Sequence, residues 1–213
     1  MVSMRRGKFI TVEGLEGAGK STNLKVVEEY LAENHISLVS TREPGGTLYG
    51  EKMRELLLAH FDEQLEANAE LLLIFAARAQ HLAQKIIPAL ERGDWVLSDR
   101  FTDATYAYQG AGRDLGVDKV ALLENFVQGE LRPDLTLILD LPIEVGMQRV
   151  DARGERDRFE SEQRQFFEKV RAAYLSRAKA SPERYTLIDT SQTREAVKQD
   201  IRAQLSGLLD AHG

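Results

Sequence analysis

Gly14-Leu15-Glu16-Gly17-Ala18-Gly19-Lys20-Ser21 follows the run Lys8-Phe9-Ile10-Thr11-Val12 and precedes a helix-like segment from Ser21 to Glu33. The eight residues fit the pattern G-x-x-x-x-G-K-[ST], and they lie where it has physical meaning, between a buried strand and a helix. A glycine-rich turn there aims backbone N–H groups at one point, with the helix dipole behind them. Lys20 is expected to reach the β- and γ-phosphates of a nucleotide, and the Ser21 hydroxyl to ligate Mg²⁺. Gly14 to Ser21, with Thr22 beside them, form the candidate nucleotide-phosphate site. Glu16 would repel a phosphate, so it is expected to point away, toward a sugar hydroxyl or the metal shell.

Working outward, strand-like and helix-like segments alternate, which predicts an α/β fold with a parallel sheet. Strands are expected at Phe9–Glu13, Ser37–Thr41, Trp95–Ser98, Leu135–Leu139 and Thr186–Ile188. Helices are expected at Ser21–Glu33, Gly50–Ala59, Ala67–Glu91, Lys119–Val127, Ile143–Ala152, Ser161–Ala180 and Thr193–Asp210, with Gly93 closing the third. Ligands collect at the carboxyl ends of such strands. The loops Glu13–Lys20, Arg42–Thr47, Asp99–Gln109 and Asp140–Pro142 are therefore expected to face one cleft.

The 213 residues, 43% of them hydrophobic, suit a single domain over 1–213. The absence of cysteine excludes disulfides, thiolate metal sites and a cysteine nucleophile, and suits a reducing cytoplasm. The longest apolar run, Leu71 to Ala77, is too short to span a bilayer, and no apolar signal core follows Arg5-Arg6. A net charge of −6 without a dominant basic stripe argues against a nucleic-acid surface. His35, His60, His81 and His212 show no metal-ligand spacing and receive no role.

Asp99-Arg100 closes the third strand. Asp99 is placed to hold Mg²⁺ through water and Arg100 to grip a phosphate bidentately; a surface ion pair is the plainer reading. Thr105, Tyr108 and Gln109 would share one helical face. Phe75 and Arg78, three apart, would do the same, and an aromatic plane beside a guanidinium suits a planar base. Phe75 equally suits a plain core position. Arg149, Arg153, Arg156 and Arg158 cluster about Gly154, as a solvated face or as a lid over about 149–160 that lays arginines on phosphates.

Together with Thr41-Arg42-Glu43-Pro44-Gly45-Gly46-Thr47, Phe75-Ala76-Ala77-Arg78, Ala107-Tyr108-Gln109-Gly110 and Arg132-Pro133-Asp134-Leu135, these motifs resemble the bacterial thymidylate kinases over nearly the whole chain. The resemblance implies a P-loop nucleoside-monophosphate-kinase fold, with five parallel strands flanked by helices, in a homodimer. It implies phosphoryl transfer from ATP to dTMP with Mg²⁺. By position it implies that Phe75 stacks on thymine, Arg78 bonds its O4 edge, Thr105 approaches N3 and Gln109 closes the base pocket. Tyr108 would lie near the sugar C2′, Glu16 near the 3′-hydroxyl, and Glu43-Pro44 beneath the acceptor. With Glu16 in place of a P-loop arginine, the chain resembles the type with a basic lid, whose acting arginines would be Arg153 and Arg158, then Arg156. Two rivals stay open: a deoxynucleoside kinase using Glu13 or Glu43 as base, and a P-loop ATPase switch.

Overall fold

Strand β1 (Phe9–Gly14) is buried at every residue and lies at the centre of a five-stranded sheet. A computed structural model describes residues 6–152 and 157–210. The other strands are β2 (Leu38–Arg42), β3 (Trp95–Asp99), β4 (Leu135–Asp140) and β5 (Tyr185–Asp189), in the order β2-β3-β1-β4-β5 with every neighbouring pair parallel. All five expected strands are present, each shifted or extended by a residue or so at its ends.

Strand alternation divides the core. Ile10, Val12, Leu97 and Leu137 pack beneath α1 (Lys20–Glu33) and α9 (Arg194–Asp210). On the opposite face Phe9 and Val96 meet Leu82, Ile86 and Leu90, while Ile138 meets Val170 and Tyr174 of α8 (Arg164–Ala180). That second face is partly polar: the Thr11 and Thr136 hydroxyls share a buried hydrogen bond of 2.9 Å.

Local chemistry sets the helix ends. Helix α2 (Leu48–Leu58) starts two residues earlier than expected because Thr47 caps it, its Oγ1 accepting the Gly50 N–H at 3.1 Å; such a cap contributes about 1 kcal/mol. The segment expected as one helix over Ala67–Glu91 is α3 (Ala67–His81), a π-helical turn (Leu82–Ile86) and α4 (Ile87–Glu91). Pro88 has no N–H to give an α-helical bond, and the helix widens just before it. Gly93, with φ +86°, follows α4 as expected of a C-terminal glycine.

The loop expectations hold only in part. Asp140–Pro142 does not line the cavity described below. Asp99–Gln109 is largely helical, as the shared face of Thr105, Tyr108 and Gln109 requires: α5 (Thr102–Thr105) continues into a π-helical segment (Tyr106–Gly112) that packs against α8. Its buried face mixes the core residues Tyr106, Ala107 and Tyr108 with Thr102, Asp103, Thr105 and Gln109, each of the four polar ones at most 3% exposed, so no clean apolar period announces it. Helices α6 (Val117–Gln128) and α7 (Ile143–Asp151) complete the fold. No helix among the described residues is long and apolar enough to cross a membrane.

Candidate active site

The carboxyl ends of β1, β2 and β3 open into one cavity of about 500 Å³. At its floor the turn after β1 holds Gly17 at φ +77° and Gly19 at φ +84°, where a side chain would strain the backbone. A Cβ on Gly17 would also lie 2.4 Å from the Gly146 carbonyl oxygen of α7. Helix α1 begins at Lys20 without a side-chain cap, leaving its first N–H groups for a ligand. Lys20 Nζ folds back to donate to the Gly14 and Leu15 carbonyls at 3.1 and 2.8 Å. Burial, and then the nearby Arg100 charge, lower its pKa to about 8. Ser21 and Thr22 stand beside it on the cavity wall.

Across the floor, Arg100 emerges from the end of β3. Its Nη2 donates to Glu16 Oε1 at 2.6 Å and to the Tyr108 hydroxyl at 3.1 Å, and Tyr108 donates to Glu16 Oε2 at 2.6 Å. Burial alone would raise Glu16, but Arg100, Lys20 and the Tyr108 hydrogen bond hold its carboxyl below the usual range. Burial and the Glu16 charge push Tyr108 well above the ordinary phenol value, so it remains a donor. Glu16 does turn from the P-loop interior toward Arg100. One Asp99 oxygen, Oδ1, is buried without a hydrogen-bond partner and lies 3.8 Å from Arg100 Nη1.

At the other end of the cavity Arg78 is 1% exposed. Its Nε donates to Glu43 Oε2 at 2.7 Å and its Nη2 to Thr105 Oγ1 at 2.9 Å, while Nη1 is buried without a partner. Pro44, Thr105 and Gln109 share this end. Phe75 does not: it is packed among Leu71, Tyr106 and Val120, with the Arg78 guanidinium 4.7 Å from its ring centre. Ile74, one position earlier, and Phe101 present the apolar surface there instead. One step along a helix turns a side chain through about 100°, and both residues are apolar, so the sequence pattern does not choose between them.

The arginine-rich segment divides. Arg153 and Arg156 lie outside the described residues. Arg158 turns from the cavity: its Nε donates to the Leu57 carbonyl at 2.8 Å, and its Nη2 forms an ion pair of 2.7 Å with the buried Glu70 carboxylate. Glu70 also accepts from Gln109 Nε2 at 2.7 Å. A long-range carboxylate partner, invisible along the chain, thus overrides the expected exposure of Arg158 to a ligand. Arg149 reaches the cavity, donating to the Gly17 carbonyl at 3.0 Å. Two further cations line the cavity wall: Arg42, on the loop expected to face the cleft, and Arg54, which no motif contained. Burial and repulsion from Arg42 and Arg100 lower the Arg54 pKa, so positive charge is concentrated on this wall.

The two candidate bases of the rival reading are committed elsewhere. Glu13 is fully buried, accepting from the Phe101 N–H at 2.7 Å and the Tyr174 hydroxyl at 2.9 Å, and burial with the Asp103 charge raises its pKa to about 8. Glu43 is held by Arg78 and by His81 Nδ1 at 2.9 Å. Neither carboxylate is free to take a proton from a hydroxyl acceptor.

Comparison with known proteins accords with this geometry. The family model described as Thymidylate kinase matches residues 12–201. A thymidylate kinase of Pseudomonas putida (strain F1) is 62% identical over 204 residues, covering 96% of this chain and 97% of the relative. One of Ectopseudomonas mendocina (strain ymp) is 60% identical over 205 residues, 96% of this chain and 98% of that protein. The crystal structure of thymidylate kinase from Ehrlichia chaffeensis superposes with a TM-score of 0.72 at 32% identity, over 96% of this chain and 99% of that one.

Proposed function

The chain belongs to the thymidylate kinase family, and from that premise we propose how its cavity moves a phosphoryl group from ATP to dTMP, giving ADP and dTDP for dTTP synthesis. The observation that carries the reading is one cavity lined by two cations, Lys20 and Arg100, and by a buried guanidinium, Arg78, whose Nη1 makes no hydrogen bond. A single-nucleotide site needs only the first.

ATP lays its phosphates along the turn Gly14–Ser21, on the backbone N–H groups and Lys20. The dTMP phosphate takes Arg100 from Glu16, with Arg54 and Arg42 nearby. Glu16, released, is free to accept from the 3′-hydroxyl, and Tyr108 crowds the sugar edge where a ribonucleotide carries its 2′-hydroxyl. Arg78 Nη1 donates to the base O4 edge, Thr105 and Gln109 flank it, and Ile74 and Phe101 replace Phe75 as its apolar contacts. Arg149, on the P-loop side, is our candidate for the arginine that follows the transferring phosphoryl; Arg153 and Arg156 of the proposed lid remain candidates beside it.

The acceptor is a phosphate oxygen, anionic at neutral pH, so no general base is required. Catalysis reduces to holding two polyanions in line against their repulsion. Among the described residues no group of three or more His, Cys, Asp or Glu could hold a metal alone. Mg²⁺ suits such a site when the nucleotide supplies further oxygens, and the unpartnered Asp99 Oδ1 with the Ser21 hydroxyl fits that need. Bound there, the ion would neutralise phosphate charge.

We further assign the enzyme to the cytoplasm and to a homodimer. Helices α3 and α6 lie side by side, joined by Lys119 and Asn68, and their outer faces carry Leu72, Leu122 and Phe126 at 58–83% exposure. Exposed apolar residues on adjoining helices suit an isologous contact.

ADP release measured across nucleoside monophosphates tests the assignment. dTMP should be the best acceptor and thymidine should not be phosphorylated; thymidine turnover exceeding that of dTMP would overturn it. Arg78→Ala should reduce the preference for dTMP over dCMP by about tenfold or more, since cytosine presents a donor where thymine presents O4. An unchanged ratio in that variant would remove Arg78 from base reading.

A further inference from the structure

His81, the last residue of α3, is fully buried behind the cavity wall, and both its ring nitrogens are engaged. Nδ1 lies 2.9 Å from Glu43 Oε1 and Nε2 lies 2.7 Å from Thr41 Oγ1. The Glu43 carboxylate, ion-paired with Arg78, can only accept, so His81 Nδ1 donates to it, while Nε2 lies against the Thr41 hydroxyl. Thr41 is fixed in its turn, because β2 pairs it with Ser98 of β3. The ring also supports the turn from below: a Cβ on Gly46 would lie 2.5 Å from its Nε2.

A chain of contacts thus runs from the sheet to the cavity. Thr41 orients His81, His81 holds one oxygen of Glu43, and the other oxygen accepts from Arg78 Nε at 2.7 Å. Thr105 fixes Nη2, so the orientation of the guanidinium, including its unbonded Nη1, is set by two partners, of which Glu43 is the one His81 controls. A buried carboxylate held at one oxygen only would be free to rotate and carry the guanidinium with it. We propose that His81 is a positioning residue for nucleobase choice: it never touches the substrate, and it sets the angle at which Arg78 meets the base. The proposal rests on the base-reading role given to Arg78 above.

Steady-state kinetics of the full chain with dTMP and dCMP test it. His81→Leu should raise the KM for dTMP by about tenfold, with the KM for ATP unchanged, and should narrow the dTMP over dCMP preference. His81→Gln, whose amide N–H can reach Glu43, should restore most of that preference. A purely structural role would lower the melting temperature and slow both acceptors alike, leaving their ratio intact, and that result overturns the proposal. Should His81→Leu not fold, His81→Asn, too short to bridge to Glu43, should show the same narrowing, and an unchanged ratio there overturns it. Arg78→Ala separates the two failures. A narrowed ratio in Arg78→Ala but not in the His81 variants removes His81 alone, whereas an unchanged ratio in both removes the base reading with it.

Discussion

Arg100→Ala should lower the turnover of dTMP by a factor on the order of 10² or more, the usual cost of removing one preorganised contact to developing charge. In the function proposed above this side chain carries the acceptor phosphate, and the backbone around it is built to place its guanidinium. Arg100 sits at φ +64°, a conformation that costs a non-glycine residue about 1–2 kcal/mol. Three bonds impose it: Arg100 N–H to the Val12 carbonyl at 2.9 Å, Ser98 Oγ to the Arg100 carbonyl at 2.7 Å, and Phe101 N–H to buried Glu13 at 2.7 Å. The strain aims the guanidinium at the P-loop rather than along the strand. Burial works against the charge, but Tyr108 and Glu16 raise its pKa well above the ordinary arginine value, so it remains a cation. Arg100→Lys keeps the charge and loses the fork, so it should recover part of the activity. Near-normal kcat in a folded Arg100→Ala enzyme would refute the acceptor-phosphate role.

The same residues show how far a single chain can be read. The P-loop, the five strands and Arg100 were legible because each is written locally, as a contiguous apolar run or as a strand end carrying a charge. What was not legible depended on a partner distant in sequence. Arg158 was expected over the phosphates, but it answers to Glu70, 88 positions away, and no spacing rule encodes that pairing. Arg54 lies in no motif and becomes visible only when α2 brings it to the cavity, where it donates to the Pro44 carbonyl. The helix over 102–112 was legible only as the shared face of Thr105, Tyr108 and Gln109, because its inner face mixes core residues such as Ala107 with hydrogen-bonded polar groups, such as Thr102 to Gln128, and shows no clean apolar period. His81 carried no signal at all, since its work is done through Glu43.

Lys20→Met should lower kcat/KM for ATP by about 10²–10³ without destabilising the ligand-free enzyme. In the free enzyme Lys20 is folded onto the Gly14 and Leu15 carbonyls, and its pKa is about 8, depressed by burial and then by Arg100. The depressed value lies below that of an unfolded lysine, about 10.4, so the unfolded chain binds more protons between those two values. Stability therefore rises with pH across that window, and below pH 8 the charged group weighs against folding. Removing it should leave the melting temperature at pH 7 equal to or above that of the parent. Triphosphate reverses the balance by setting negative charge against the ammonium and raising its pKa. Above pH 8, ATP binding must then take up a proton, and affinity must fall as pH rises. Calorimetry at pH 9 in two buffers of different ionisation enthalpy reads that uptake directly. It should approach about one proton per site in the parent and vanish in Lys20→Met. Equal uptake in the two proteins would show that some other group carries the titration and that Lys20 does not meet the phosphates.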